Sequence, residues 1–190
     1  MIAICTPTRE SVLAGFVYDL VNLTRAYPDS IFTISTGTYL SNLRTLLART
    51  AVDNGVSHVL FIDSDMKFPP DTIKRLLEDD KDIVGANCAS RTYQAVTARL
   101  GGEYVDSWGP GHKLREVDSI GFGVTMIKAE VFKQLDEPWF AMPWVMDEKK
   151  HVGEDIFFCK MAQNAGFHVW VDNELSKEVK HVGLYEYEVK

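Results

Sequence analysis

The segment HVLFIDSDMKF, residues 58–68, decides the fold prediction because an apolar run passes directly into acidic residues. Its first part has the length and composition of a buried strand. Asp63 and Asp65 follow at the point where that strand ends. Two carboxylates so close in sequence repel each other unless a cation or a hydrogen-bond donor is present. The segment therefore predicts a ligand site at the carboxyl end of a buried strand.

Two interpretations of Asp63, Ser64 and Asp65 stay open. Aspartate is common where a strand ends, so the three residues could form a plain turn or helix cap. In an extended chain, alternate side chains point the same way, which would place both carboxylates on one side. A hard divalent ion bound by carboxylate oxygens and bridging to a diphosphate would then remove the repulsion. On this second interpretation, a hard divalent ion is expected at this position.

Strand and helix patterns alternate around this segment. Strands are predicted at IAIC (2–5), IFTIST (31–36), HVLFID (58–63) and DIVGANC (82–88). Helices are predicted at SVLAGFVYDLVNLTRAY (11–27), LSNLRTLLARTAVDNG (40–55) and PPDTIKRLLEDD (69–80). The alternation predicts an α/β fold with a central, mostly parallel sheet covered by helices on both faces. In such sheets, ligands bind beyond the carboxyl ends of the strands.

The pattern changes from Ala95 onward. Glycine-rich, alternating segments predict a smaller mixed β region, followed by a short helix at 129–135. Residues 136–152 contain two Pro–Trp pairs and are predicted to be a long connection, too irregular for a core element and typical of a lid. A last helix and strand are predicted at GEDIFFCKMAQNAGF (153–167) and HVWVD (168–172), before a polar tail. We find no repeat and no linker, so one domain over residues 1–190 is expected.

Composition excludes several classes. With 46% hydrophobic residues the chain can build an ordinary globular core. A net charge of −7 disfavours nucleic acid as a partner, since phosphate binding needs a surplus of Lys and Arg. The three cysteines have no CxxC spacing, which disfavours a disulfide framework or a thiolate zinc site. No run approaches a transmembrane segment, and MIAICTPTRE does not have the pattern of a signal peptide. We expect a cytoplasmic protein, and the oligomeric state stays open.

The segment CTPTRE (5–10) follows the first predicted strand as a loop, at the same sheet edge as the Asp pair. Thr6, Thr8 and the backbone around Pro7 could hydrogen-bond a base or ribose, and Arg9 could face a phosphate. The alternative is a plain strand–helix loop in which a hydroxyl caps the helix. The segment has neither the GxGxxG of a dinucleotide site nor the glycines of a P-loop, which disfavours both classes.

Glu154 and Asp155 open the last predicted helix. The helix dipole alone explains acidic residues at this position. The functional alternative is a general base beneath a closing loop. Trp139 and Trp144, in that loop, would either pack it down or stack on a sugar ring.

His181, in KHVG (180–183), has two interpretations. A lone histidine is more often a surface or core residue than a ligand. It becomes informative if the fold brings it beside Asp65, where an imidazole would complete an Asp/His metal site.

The order of these segments resembles that of the family 2-like glycosyltransferases of the GT-A fold. The resemblance covers Ile2 to Gly183. It is carried by TPTR after the first strand, Arg44, VLFIDSDMKFPPDTIKRLL, DIVGANC, GFGVTMIKAEVF, GEDIFFCKMAQNAGF and HVG. Its most specific parts are the apolar strand that ends in DSDM and the later GED and HVG. The chain is short for this fold and has little acceptor-binding sequence beyond 136–152.

The resemblance implies a GT-A (Rossmann-like) domain with a nucleotide-binding half at 1–94 and an acceptor and catalytic half at 95–190. It implies metal-dependent transfer of a sugar from a nucleotide diphosphate sugar to a hydroxyl acceptor. The acceptor would be a glycan, a protein or a small molecule, and a UDP-sugar is the preferred donor, UDP-glucose first. Asp155 matches the acid that acts as base in inverting members, while in related retaining enzymes an acid at this place contacts the acceptor.

The resemblance also assigns the remaining site residues. Nucleotide-sugar contacts are expected from Thr6, Pro7, Thr8, Arg9, Arg44, Asp63, Ser64 and Asp65. Acceptor or sugar contacts are expected from Gly121, Phe122, Gly123, Trp139, Trp144 and Glu154. The Mn²⁺ or Mg²⁺ ligands are expected to be Asp63, Asp65 and His181, with Asp65 nearer the metal and Asp63 toward the ribose or a metal-bound water.

Two alternatives are weighed beside this function. A nucleotidyltransferase would make a nucleotide sugar from a nucleoside triphosphate, and usually has a glycine-rich, basic loop after its first strand, which CTPTRE does not provide. A non-catalytic nucleotide- or carbohydrate-binding module would bind without turnover.

Overall fold

A seven-stranded sheet organises the fold. The structure, a computed structural model, describes residues 1–89, 96–107, 112–147 and 149–183. All strands are numbered in chain order, and those outside the large sheet are given below. The large sheet consists of β1 (Ile2–Thr8), β2 (Ser30–Thr36), β3 (His58–Ile62), β5 (Ile83–Gly85), β8 (Leu114–Val117), β9 (Val124–Lys128) and β12 (Val169–Asp172). Their order across the sheet is β2-β1-β3-β9-β5-β12-β8.

Five of these strands are mutually parallel, and only β8 and β9 run the other way. Three two-stranded ladders also form among the described residues. They are β4 (Met66–Lys67) with β13 (Lys180–His181), β6 (Arg99–Leu100) with β7 (Glu103–Tyr104), and β10 (Trp144–Val145) with β11 (Lys150–His151). The prediction of an α/β fold with a mostly parallel central sheet is confirmed.

Helices cover both faces of the sheet. They are α1 (Ala14–Ala26), α2 (Leu40–Asp53), α3 (Thr72–Asp79), α4 (Ala129–Gln134), α5 (Glu154–Asn164) and α6 (Asn173–Ser176). One buried cluster joins Ala3 of β1 to α2, α4 and α5. The other joins Ile4 of β1 to α1, α3 and α6, because successive residues of a strand face opposite sides. Within the described residues, none of these helices is both long and apolar enough to cross a membrane.

Strand β1 is longer than predicted. It continues to Thr8, so Thr6 to Thr8 are strand residues rather than a loop. The reason is that β2 runs beside β1 to its end, with Thr6 opposite Ile34 and Thr8 opposite Thr36. Pro7 lies beyond the last β1–β3 pair, where β2 is the remaining neighbour and a missing backbone N–H is tolerated.

Strand β9 places part of the later sequence in the centre of the sheet. The segment VTMIK lies between β3 and β5 and is antiparallel to both. Strands from before and after residue 95 therefore share one sheet, and the proposed boundary at 94/95 itself lies outside the described residues.

The chain turns sharply after β3. The Met66 N–H donates to the Asp63 carbonyl at 3.1 Å, and the Asp63 N–H donates to the Gly123 carbonyl at 3.0 Å. The two aspartates therefore stand in a turn, and the expectation of an extended chain at this point was wrong. Strand β4 follows at once and pairs with β13, with His181 opposite Met66.

Part of the long connection at 136–152 belongs to the core, contrary to the prediction. Trp139 and Phe140 are buried, whereas residues 136–138 and 142–143 and most residues of the short hairpin of β10 and β11 are exposed. The apolar packing of the two aromatic rings explains why this irregular segment is fixed to the body of the protein.

Candidate functional site

Four segments meet beyond the carboxyl end of β3. The turn after β3 is bonded through Asp63 to Gly123, which precedes β9. Asp65, in the same turn, is bonded to the residue that follows β13, because the Val182 N–H donates to the Asp65 carbonyl at 2.8 Å. The start of α5 reaches the same place through Glu154, which contacts Arg44. This is the sheet edge where α/β folds bind ligands.

Asp65 and His181 are in direct contact. His181 Nε2 lies 3.0 Å from Asp65 Oδ2, although 116 residues separate the two in sequence. The other ring nitrogen, Nδ1, lies 2.8 Å from the Ala89 carbonyl oxygen. The β4–β13 ladder explains the contact, because it pairs His181 with the residue that follows Asp65.

The contact of His181 with Asp65 has room for a hydrogen or for a divalent cation held by both side chains. A carbonyl oxygen only accepts hydrogen bonds, so Nδ1 carries a hydrogen and Nε2 faces a carboxylate oxygen. The contact between His181 Nε2 and Asp65 Oδ2 is favourable only if a second hydrogen on the ring or a cation lies between these two atoms. Two neighbouring ligands of an octahedral Mg²⁺, each at roughly 2.1 Å, stand about 3 Å apart, which is the spacing seen here. The Ala89 contact is of the kind that orients metal-binding histidines.

Asp63 is held differently from Asp65. Its Oδ1 accepts a hydrogen bond from Arg44 Nη2 at 2.9 Å. Burial raises the pKa of Asp63, and the Arg44 charge opposes that rise.

In the part of the chain that the structure describes, no three His, Cys, Asp or Glu side chains form a cluster able to hold a metal. The expected set of Asp63, Asp65 and His181 is therefore not assembled as a three-residue cluster among the described residues, and a cation held by Asp65 and His181 stays a prediction. Ser64 lies between the two aspartates in the turn.

Arg44 is a buried residue, not an exposed nucleotide contact. Its side chain is 2% exposed. Nε donates to Glu154 Oε1 at 3.2 Å and Nη1 donates to the Phe122 carbonyl at 3.3 Å, in addition to the Asp63 contact. The guanidinium carbon lies 5.3 Å and 5.6 Å from the ring centres of Phe61 and Phe122. The expected contact with the nucleotide is replaced by contacts within the protein.

Asp155 stands at the start of α5 beside Glu154. Its Oδ1 accepts a hydrogen bond from the Ile156 N–H at 2.7 Å. Burial raises the pKa of Asp155 to about 6, and the negative charge of Glu154 adds to the rise. The Ile156 N–H and the Arg44 charge act in the opposite direction. A carboxyl group of this kind is partly protonated near neutral pH and suits proton transfer.

Gly153 leaves room for that carboxylate. A Cβ atom at this position would stand 2.6 Å from Asp155 Oδ1, closer than a contact allows. The glycine of GED therefore permits the position of the Asp155 carboxylate that the Ile156 N–H holds.

Close packing also explains the glycines at 121 and 123. A Cβ on Gly121 would meet the Thr97 side chain at 2.7 Å, and one on Gly123 would meet Cys88 Sγ at 3.1 Å. Phe122, between them, is 1% exposed and stacks on Phe61 in the core. Its ring is therefore a core side chain, and a contact of the 121–123 backbone with a sugar or acceptor stays a prediction.

The residues of CTPTRE divide into buried and exposed. Thr6, Pro7 and Thr8 are buried, whereas Arg9 is exposed. Thr8 Oγ1 donates to the Ser11 carbonyl at 2.9 Å, so this hydroxyl fixes the connection to α1. Thr6 Oγ1 is buried and has no hydrogen-bond partner among the described residues.

The two tryptophans have different environments. Trp139 Nε1 donates to the Leu135 carbonyl at 3.0 Å, and its ring packs on Phe132. Trp139 is thus a core residue, and its expected contact with a sugar or acceptor is corrected. Trp144 is 51% exposed on the β10–β11 hairpin and packs edge-on against His151.

One part of the site, the Ala89 carbonyl, was not predicted, and neither was the role of Asn87, a buried residue after β5. The Ala89 carbonyl has no sequence signal, because any residue provides the same acceptor. Asn87 is a buried polar side chain whose Oδ1 accepts from the N–H groups of Thr97 and Ala98 at 3.0 Å and 2.9 Å. Its signal was its place in DIVGANC, at the carboxyl end of β5, where polar residues face the ligand edge.

Comparisons with known proteins show the fold. No family model and no curated protein matches the chain. The chain is similar to the structure of A197 from STIV, at 14% identity and a TM-score of 0.64, over 100% of this chain and 97% of that one. It is also similar to the nucleoside-diphosphate-sugar pyrophosphorylase from Vibrio cholerae RC9, at 10% identity and a TM-score of 0.55, over 94% of each chain.

Proposed function

We propose that this protein is a metal-dependent glycosyltransferase that moves a sugar from a nucleotide diphosphate sugar to a hydroxyl acceptor. The observation that carries the proposal is the contact between Asp65 and His181 at the carboxyl end of β3. The GT-A resemblance expects an acidic and an imidazole ligand at these two positions. The shared fold with a protein named a nucleoside-diphosphate-sugar pyrophosphorylase supports nucleotide-sugar chemistry.

Asp65 and His181 would hold the cation, with diphosphate and water oxygens as its other ligands. Bound there, Mn²⁺ or Mg²⁺ would stabilise negative charge on the leaving diphosphate by several kcal/mol. Asp63, oriented by Arg44, would contact the ribose side of the donor. From the resemblance, UDP-glucose is the first donor to test.

Asp155 would remove the proton from the acceptor hydroxyl in an inverting reaction. The acceptor oxygen forms a bond to the anomeric carbon as the bond from that carbon to the diphosphate oxygen breaks. The hydroxyl proton passes to Asp155, and the electron pair of the broken bond leaves with the nucleoside diphosphate. A pKa of about 6 suits this role, because most of the group is ionised at neutral pH while its basicity exceeds that of an ordinary aspartate.

A nucleotidyltransferase is the second candidate, and the Vibrio cholerae fold similarity favours it. Such an enzyme would join a sugar phosphate to a nucleoside triphosphate and release pyrophosphate. Residues 6–8 are paired strand residues without glycine, so β1 does not end in a glycine-rich phosphate loop. A non-catalytic nucleotide- or carbohydrate-binding module is the third candidate. For such a module, Asp155→Asn should leave ligand binding unchanged, and no turnover should be seen.

A donor panel separates these functions. The protein is incubated with UDP- and GDP-sugars and Mn²⁺, and nucleoside diphosphate release is measured, with pyrophosphate release from UTP and GTP measured in parallel. We expect release from at least one donor, lost in Asp65→Ala and in His181→Ala. His168→Ala is the control, because His168 pairs with Glu116 in an exposed contact elsewhere on the sheet. No release from any donor, with Asp65→Ala equal to wild type, would overturn the proposal.

A further inference from the structure

We propose that Arg44 is a positioning residue that joins the donor-side carboxylate Asp63 to the helix that carries Asp155. This inference deepens the proposed function, and only its catalytic consequence rests on that function. The electrostatic link between Arg44 and Asp155 is independent of the reaction catalysed.

The first argument is the geometry of the guanidinium group. Each of its three nitrogen atoms donates to a different segment: Nη2 to Asp63 after β3, Nη1 to the Phe122 carbonyl before β9, and Nε to Glu154 on α5. A planar guanidinium fixes the relative directions of its donors, which a lysine ammonium does not. One side chain of α2 thus sets the position of both sides of the site.

The second argument is burial. Arg44 is 2% exposed, and the Glu154 side chain is 11% exposed. A buried charge without partners is strongly destabilising, so removing the guanidinium would leave two carboxylates uncompensated. The rings of Phe61 and Phe122 on the guanidinium exclude water that could replace it. The arrangement therefore depends on this one cation.

The third argument is the charge around Asp155. Glu154 on α5 raises its pKa and Arg44 on α2 lowers it, while the uncharged Cys159 thiol lies on the same helix. Asp63, at the end of β3, contacts Arg44 from the other side. Loss of the Arg44 charge would leave burial and the Glu154 charge opposed by backbone N–H groups alone, so Asp155 would bind its proton more tightly.

The test is a ¹³C-carboxyl NMR titration of Asp155 in wild type, Arg44→Gln and Arg44→Lys. We expect Arg44→Gln to move the midpoint upward by roughly one pH unit. Arg44→Lys, which restores the charge without the planar fork, should return the midpoint toward the wild-type value. Arg49→Gln is the matched control on the same helix, because Arg49 is exposed and pairs with Glu137. An unchanged midpoint in folded Arg44→Gln overturns the inference.

A second variant decides the matter if Arg44→Gln does not fold. Glu154→Gln keeps an oxygen that accepts from Arg44 but removes the negative charge beside Asp155. Burial still raises the pKa of Asp155, but no neighbouring carboxylate then opposes the Arg44 charge. The midpoint of Asp155 should therefore fall below that of wild type; an unchanged midpoint overturns the inference. If wild type shows no donor turnover while the midpoints shift as expected, the proposed function fails and the Arg44 link stands. If donor turnover is found and the Asp155 midpoints do not shift, the proposed function stands and the Arg44 link fails.

Discussion

His181 Nε2 lies 3.0 Å from Asp65 Oδ2, and this contact joins the end of the described chain to the turn after the third strand. The two antiparallel residue pairs of β4 and β13 bring the two side chains together. The Val182 N–H, which donates to the Asp65 carbonyl, and the contact of His181 with the Ala89 carbonyl hold this short ladder at the edge of the large sheet.

Replacing either member of this pair should weaken Mn²⁺ binding. We expect Asp65→Asn and His181→Ala each to lower the affinity for Mn²⁺ in the presence of UDP by at least about tenfold. Electron paramagnetic resonance of free Mn²⁺ measures this without any turnover. His168→Ala, at the exposed pair with Glu116, should bind Mn²⁺ as wild type does. Equal affinity in all four proteins would remove the metal site from the account.

Activity should fall on the acidic side of neutrality. Because Asp155 must be ionised to accept a proton and its pKa is about 6, kcat/KM should decrease as the pH falls through that value. The measurement is kcat/KM for the acceptor as a function of pH, with the donor at saturating concentration. A limb near pH 4, the range of an ordinary aspartate, would show that another group is the base.

Asp155→Asn should abolish transfer while stabilising the protein at high pH. The pKa in the folded state is about 6, against 3.8 for the free group, so ionisation opposes folding. The stabilising contribution of protonated Asp155 is complete below 3.8 and is lost as the pH rises through about 6. The variant avoids this loss and should gain at most about 3 kcal/mol at pH 8 and nothing at pH 4. Urea unfolding at both pH values provides the measurement, and a variant less stable than wild type at pH 8 would contradict it.

Gly153→Ala should reduce transfer without reducing donor binding. The added Cβ would stand 2.6 Å from Asp155 Oδ1, so the carboxylate must move. The backbone at Gly153, with φ −62° and ψ 149°, is one that alanine adopts freely, and the fold should persist. We expect kcat to fall about a hundredfold, with unchanged binding of UDP and Mn²⁺ by calorimetry. Undiminished kcat would show that the position of the carboxylate does not matter.

The two tryptophans should respond in opposite ways to replacement by alanine. Trp139→Ala removes a buried ring from the core and should lower the free energy of unfolding by about 3–5 kcal/mol. Trp144→Ala changes an exposed ring beside His151 and should leave that free energy within about 0.5 kcal/mol. If Trp144 contacts the acceptor, its removal raises the KM for the acceptor and leaves the KM for the donor unchanged. Chemical denaturation and initial-rate kinetics compare the two variants, and equal losses of stability would contradict the assigned environments.

The sequence predicts the parallel part of the fold well because each strand there has a local signal. HVLFID is a short apolar run followed by acidic residues, and its strand ends at Ile62, within one residue of the prediction. The placement of VTMIK between β3 and β5 has no such local signal, since strand pairing depends on long-range contacts.

The candidate site was predictable where residue chemistry is specific and not where burial decides the role. Asp65 and His181 were paired in the prediction, and the structure places them in contact. Arg44 was expected at the nucleotide, but nothing in its local sequence indicates that three segments enclose it. Trp139 and Phe122 belong to the core for the same reason, because aromatic side chains serve binding and packing equally well.

The most direct test of the central claim is a crystal structure of the protein with UDP and Mn²⁺, measured for anomalous scattering. The account predicts one manganese peak bound by Asp65 Oδ2 and His181 Nε2, with the diphosphate oxygens of UDP completing its ligands and Asp155 facing the bound donor. Nucleotide bound elsewhere, with the contact between Asp65 and His181 intact and no manganese between them, would contradict it.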